Sequence, residues 1–110
     1  MSRKTPRAAA RVFAALGDAT RLALVMRLSQ GPARSIAELS AHSRLTRQAM
    51  TKHLRVLERA RLVRGRRTGR EKRFAFRPDS IMELQDYLAV VSAQWEGALE
   101  RLRTLVEDGS

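Results

Sequence analysis

The chain has 110 residues, 44% hydrophobic and 30% charged, with 22 Lys and Arg against 11 Asp and Glu for a formal net charge of +11. That size and apolar content describe one folded domain with a modest core, near the size at which a partner often contributes stability. The absence of cysteine excludes disulfides, thiolate metal sites and thiol redox switches, and no apolar run approaches the roughly 18 residues that would span a bilayer. The charge is strongly segregated. Residues 34–77 carry 14 Lys and Arg against 3 Glu, a net +11, whereas residues 1–33 carry +5 and residues 78–110 carry −5. Solubility does not require such segregation; a surface that meets a polyanion does.

Residues 1–6 read as a flexible basic tail. The Ala-rich stretch behind it is interrupted by Arg11 and Asp18 and has helical rather than secretory-leader spacing, so the chain reads as cytoplasmic. A first helix is predicted over Arg7–Leu16, with Val12, Phe13 and Leu16 on one face and Gly17 as its stop. Asp18 caps a second helix, in which Leu22, Val25, Met26 and Ser29 form a stripe widened by Leu24 and Leu28; Gly31 and Pro32 end it. Ser35 and Glu38 have the spacing of a capping box, opening a short helix to about His42 that buries Ile36 and Leu39. After a short turn, Thr46 is a good N-cap for a helix to about Arg59, and the pair over 35–60 reads as a helix-turn-helix.

Leu62 and Val63, then Phe74 to Phe76, flank an Arg-rich segment, and Phe74 and Phe76 alternate with Arg73 and Arg77. That period of two predicts a β-hairpin over 62–77, with Gly65 and Gly69 allowing tight turns at or near its tip. Pro78 and Asp79 open a last helix to about Glu107, whose apolar residues Ile81, Leu84, Leu88, Val91, Trp95, Leu99 and Leu102 are spaced 3-4-3-4-4-3. About 27 residues make it some 40 Å long, longer than so small a domain can cover.

The helix after Thr46 has two chemically distinct faces. Met50, Leu54 and Leu57 share one and should pack inward, while Arg47, Gln48, Thr51, Lys52, Arg55 and Arg59 share the other. These are the side chains that bond base edges and phosphates, and the N-terminal half of such a helix normally enters the major groove. Thr46, Arg47, Gln48, Thr51, Lys52 and Arg55 are therefore the expected contacts of the helix with double-stranded DNA. In the hairpin, Arg66, Arg67, Arg70 and Lys72 are the expected backbone contacts. A charge run is ordinarily just a solvated face; here the capped partner helix and the basic hairpin beside it favour DNA.

The run from Phe13 to Leu22 (FAALGDATRL) and the run from Leu45 to Val63 (LTRQAMTKHLRVLERARLV) resemble ArsR/SmtB-type winged-helix repressors, with similarity over about residues 7–105 and strongest in 13–76. The resemblance implies a mainly α fold with a small β-hairpin, a winged helix-turn-helix that dimerises through its terminal helices, 7–17 and 79–107. It also implies a dimeric transcriptional regulator, usually a repressor. The interface is expected at Phe13, Leu84, Leu88, Val91, Trp95 and Leu99, with Trp95 as anchor. Arg44 and Arg61 stand at turn positions where this family commonly has Gly, and Arg44 would be strained if its turn needs positive φ.

Many members of the family release DNA on binding a metal, but the usual ligands are missing: there is no cysteine, and no His lies beyond residue 53. No metal and no other cofactor is expected. His53 suits packing or a phosphate bond, and His42 a polar or capping role. Three other readings stay open on the residues alone. They are a small basic nuclease using His42 and His53, a non-specific architectural DNA binder, and a winged-helix module whose basic face meets an acidic protein. The nuclease lacks any carboxylate cluster or nucleophile motif.

Overall fold

The computed structural model describes residues 6–108. Helix α1 (Pro6–Leu16) begins with proline at its first helical position, where the missing N–H would have no partner anyway. The tail expected over residues 1–6 otherwise lies outside the described residues. Helix α2 (Ala19–Ser29) is capped by Asp18, whose carboxylate accepts from the Arg21 backbone N–H at 3.0 Å. Strand β1 (Arg34–Ser35) leads into α3 (Ile36–Ala41), and α4 (Arg47–Arg59) follows a short turn. Strands β2 (Val63–Thr68) and β3 (Glu71–Phe76) form the hairpin, and α5 (Asp79–Asp108) completes the chain.

The capping box of α3 is formed in full: Ser35 Oγ accepts from Glu38 N–H at 3.1 Å and Glu38 Oε1 accepts from Ser35 N–H at 2.9 Å. Thr46 Oγ1 caps α4 by accepting from Ala49 N–H at 3.0 Å. These bonds satisfy donors that a helix start leaves without a partner, so two short helices hold a sharp turn between them.

The fully buried side chains Leu28, Leu39, Met50, Leu54, Leu57, Leu62 and Val63 come from α2, α3, α4 and the start of the hairpin. The core therefore sits directly beneath the helix-turn-helix. Helix α2 is turned differently from the stripe read in the sequence. Leu24, Val25 and Leu28 are buried, while Leu22 and Met26 stand exposed. A short helix apolar on more than one side has no unique inward face; α1, α4 and β3 packed around it choose one.

The sheet has three strands in the order β1-β3-β2, all antiparallel, rather than the hairpin alone. Strand β1 has only two residues, Arg34 paired with Phe74 and Ser35 with Arg73, too short to show any alternation. At the hairpin tip Thr68 pairs with Glu71 across a two-residue loop, and Gly69 there has φ +65°. Positive φ at the first central residue alone is the type II′ pattern that continues the natural twist of paired strands. Gly65 does not turn the chain; it lies within β2 opposite Phe74. A Cβ there would collide with the Lys72 side chain, stand 2.9 Å from the Phe74 ring and 3.2 Å from Glu58 Oε2. Close approach of side chains, not a bend, requires the glycine.

Backbone strain falls at Arg61 (φ +60°), not at Arg44. The Arg61 N–H bonds to Glu58 O at 3.0 Å and the Leu62 N–H to Leu57 O at 3.0 Å, which together are a Schellman stop for α4. Leu57 and Leu62 are both fully buried, supplying the apolar contact that accompanies this stop. Ser80, in the first turn of α5, donates to the Ala60 carbonyl at 2.6 Å and is itself buried. The end of α4 is thereby tied to the start of α5.

At 30 residues, α5 is about 45 Å long. Its only buried residues are Ser80 and Leu84. Leu84, expected at a subunit interface, lies instead against Ala9 and Val12 of α1 in the protomer's own core. From Leu88 onward nearly every side chain of α5 is exposed.

Candidate nucleic-acid interface

Helix α4 sinks Met50, Leu54 and Leu57 into the core, which aims Arg47, Gln48, Lys52 and Arg55 at solvent. None of these four side chains has an ion pair or hydrogen bond within the described residues. Two of the expected contacts are engaged locally: Thr46 is the N-cap, and Thr51 Oγ1 donates to the Arg47 carbonyl at 2.7 Å. Their methyl groups and second lone pairs stay available, but their hydroxyl geometry is set by the helix.

The flank of α4 is pinned to the α1–α2 corner. Arg21 donates through Nε to the Ala15 carbonyl at 2.7 Å and through Nη2 to the Ala14 carbonyl at 3.4 Å, closing the C-terminus of α1. Its Nη1 lies 3.3 Å from His53 Nδ1 on α4, and Asp18 Oδ2 lies 3.9 Å from the same nitrogen. The Arg21 backbone N–H, with the Arg21 guanidinium behind it, holds the Asp18 carboxyl below its ordinary value of 3.8 against opposing desolvation. His53 is thereby held by polar contacts to the α1–α2 corner. His42 is the exposed C-cap of α3.

The hairpin is tied to α4 through one carboxylate. Glu58 Oε2 accepts from Gly65 N–H at 3.2 Å, and Glu58 Oε1 pairs with Lys72 Nζ at 3.6 Å. Lys72 also lies over the Phe74 ring, 5.3 Å from its centre. Of the four expected wing contacts, Lys72 therefore has protein partners, whereas Arg66, Arg67 and Arg70 are exposed and unpaired among the described residues. On the other edge, Arg73 bridges Glu71 at 3.1 Å and Glu38 at 3.4 Å and reaches the Ala33 carbonyl at 3.3 Å. The Ser35 N–H, then the Arg73 charge, hold the Glu38 carboxyl below its ordinary 4.5 against desolvation. Wing, turn and α4 are consequently one braced platform beneath free cations.

Glu58, Arg21 and Arg64 belong to this surface or its support and do not stand among the sequence-derived contacts. Strand alternation is the signal that would have singled out Arg64. For Glu58 no local signal exists, since its partners lie 7 and 14 positions onward. Among the described residues no three His, Asp or Glu side chains are grouped to hold a metal ion, and no helix is long and apolar enough to cross a membrane.

On another side of the molecule, Phe13 of α1 and Leu88, Val91, Trp95 and Leu99 of α5 line one open groove of about 740 Å³. Trp95 is 69% exposed and Leu99 62%. These side chains form one contiguous exposed apolar surface, the kind that marks an interaction site.

Comparison with known proteins gives the same picture. The helix-turn-helix domain family matches residues 16–66. The HTH-type transcriptional regulator Rv2034 of Mycobacterium tuberculosis is 34% identical over 103 residues, covering 94% of this chain and 92% of its own. An ArsR-like transcriptional regulator from Rhodococcus sp. RHA1 superposes with a TM-score of 0.79 at 29% identity, over 90% of this chain and 92% of that one. The fold is shared too with the homodimeric winged helix-turn-helix DNA-binding domain of Mb0332 from Mycobacterium bovis, with a TM-score of 0.61 at 23% identity, over 86% and 84% of the two chains. With an unpaired basic face on α4, a braced wing and relatives matched over nearly their whole length, the chain belongs to the ArsR-type winged helix-turn-helix family of DNA-binding transcriptional regulators.

Proposed function

We propose that this regulator is a cytoplasmic homodimeric repressor, without catalytic activity, that binds an inverted-repeat operator. The carbon-rich half of each α4 stays in the core while Thr46, Arg47, Gln48, Thr51, Lys52 and Arg55 enter the major groove. Arg47 and Gln48 read base edges, through guanine and adenine respectively. Arg66, Arg67, Arg70 and Lys72 of the wing bind phosphates, Lys72 by exchanging its Glu58 partner. The observation that carries this reading is the exposed α4 face, whose cations have no carboxylate of their own. An unpaired row of this kind has its counter-charge elsewhere.

Dimerisation through Phe13, Leu88, Val91, Trp95 and Leu99 is supported by the exposed groove and by the homodimeric state of the Mb0332 domain. A two-fold axis there would set the recognition helices about 34 Å apart, one turn of duplex.

The test is fluorescence anisotropy with DNA from upstream of the protein's own gene, random duplex as competitor and two salt concentrations. We expect binding that survives competitor, two subunits per site, and an affinity falling with log salt at a slope of roughly −0.9 per phosphate neutralised. Binding erased by random duplex would favour an architectural role, and no binding at low salt would sink the reading. Within the site, Arg47→Ala or Gln48→Ala should cost about 1–3 kcal/mol on the operator and relax base preference. Equal losses on operator and random DNA would demote both residues to phosphate contacts.

A further inference from the structure

Between α1 and α4 lies an open groove of about 580 Å³, a volume typical of small-molecule sites. Its apolar lining is Ala14 and Ala15 of α1 with Val56 and Ala60 of α4. Alanine at three of these four positions leaves the space that larger side chains would fill. The remaining lining residues are Arg11, Arg21 and Arg59, and no carboxylate faces the groove.

The three guanidinium groups differ in how they are held. Arg21 is fixed by its bonds to the Ala15 and Ala14 carbonyls and its contact with His53 Nδ1. Those contacts use only part of its N–H donors and none of them is to an anion. Asp18 feels the Arg21 charge but serves as the α2 cap and makes no ion pair with the guanidinium. Arg11 and Arg59 are exposed and without a partner among the described residues. Three like charges around one hollow repel each other, and an anion between them removes that cost. A guanidinium already locked in place also binds a carboxylate without first losing its own freedom.

We propose that the α1–α4 groove is an effector site for a small monocarboxylate with an apolar body, an aryl or medium-chain acyl acid, whose occupancy weakens operator binding. The second half of this statement rests on the DNA-binding reading above. The carboxylate is received by Arg21, with Arg11 and Arg59 beside it, and the hydrocarbon lies on Ala14, Val56 and Ala60. An inorganic anion would leave that apolar lining wet, and a neutral hydrocarbon would leave the arginines uncompensated. Arg59 belongs to the same helix as Lys52 and Arg55, so an anion held there lowers the positive potential that a duplex meets on α4. Linkage then requires bound operator to weaken the acid by the same factor.

The test is titration calorimetry of the full chain with octanoate, benzoate, octanamide and inorganic phosphate. At least one of the two acids should bind once per protomer with a sub-millimolar Kd, and octanamide and phosphate about tenfold or more weakly. Arg11→Gln should weaken the acid about fivefold or more, and Arg11→Lys should restore most of that loss. Ala14→Leu, which narrows the groove at constant charge, should also weaken it. Saturating acid at matched ionic strength should lower operator affinity about fivefold or more. Absence of acid binding overturns the proposal, as does equal binding of octanamide or phosphate. Acid binding unchanged in both Arg11→Gln and Ala14→Leu overturns the location. Acid that dissociates the dimer in sedimentation acts at the Phe13–Trp95 groove and overturns it too, and acid that binds without weakening operator overturns the effector role. Failure of the acid-free protein to bind operator overturns the DNA-binding reading instead, while calorimetry still decides the acid site.

Discussion

The basic platform of residues 46–77 and the distal half of α5 are both exposed, but they are exposed over different foundations. Beneath the platform the N-termini of α3 and α4 are capped, Glu58 and Arg73 brace the wing, and seven fully buried side chains lie below. From Leu88 onward nearly every described side chain of α5 is exposed; it presents Trp95, Leu99, Leu102, Leu105 and Val106 to solvent. The difference reflects the ligand each is built to meet. Guanidinium groups are stable in water and need only be held in place, so a charged surface is completed inside one chain. Apolar side chains in water are a standing cost that a second apolar surface removes.

That contrast is broken most directly at Trp95. Trp95→Ala should weaken the dimer by about 2 kcal/mol or more, since central aromatic anchors dominate such interfaces. Sedimentation equilibrium would register this, with operator affinity falling in parallel. An unchanged dimer would remove Trp95 from the interface and with it the reading of the groove. The thermal stability of the monomer should barely change, because Trp95 touches little of its own core.

On the platform the corresponding weak point is the wing's close approach to α4. Gly65→Ala places a methyl group against Lys72, Phe74 and Glu58, and overpacking of this kind should cost about 1–3 kcal/mol in urea unfolding. If stability were unchanged, the hairpin would not be braced as described. The opposite sign is expected at Arg61→Gly. Relief of a left-handed non-glycine residue, offset by the greater freedom of glycine in the unfolded chain, should raise stability by up to about 1 kcal/mol. A drop in stability would mean that the arginine side chain contributes more than its backbone strain costs.

The smallest effect is the pH dependence of Asp18. Its carboxyl is held below its ordinary 3.8 in the folded protein, so the folded state binds fewer protons than the unfolded one through that window. The stabilisation is present above about pH 4 and is lost as pH falls through the depressed value. Asp18→Asn keeps a side-chain cap but not the charge. Urea midpoints should therefore separate wild type from variant at pH 7 and converge as the pH falls below the depressed value. A constant separation would locate the contribution of Asp18 in the hydrogen bond alone.

Local chemistry was legible from the chain: the Asp18, Ser35 and Thr46 caps, the inward face of α4 and the basic hairpin are each carried by residues within a few positions of one another. Capping and periodicity act over one or two turns, so their signals survive in sequence. The orientation of α2, strand β1, the burial of Leu84, the strain at Arg61 and the Glu58 bridge to the wing were settled by packing. Each depends on a neighbour brought from elsewhere in the chain, or, for Arg61, on the way Leu62 must enter the core after α4. The division of the wing arginines lies between these cases. Alternation already separates Arg64 and Arg66 from Arg67, but only the contact between Gly65 and Glu58 decides which side faces the recognition helix.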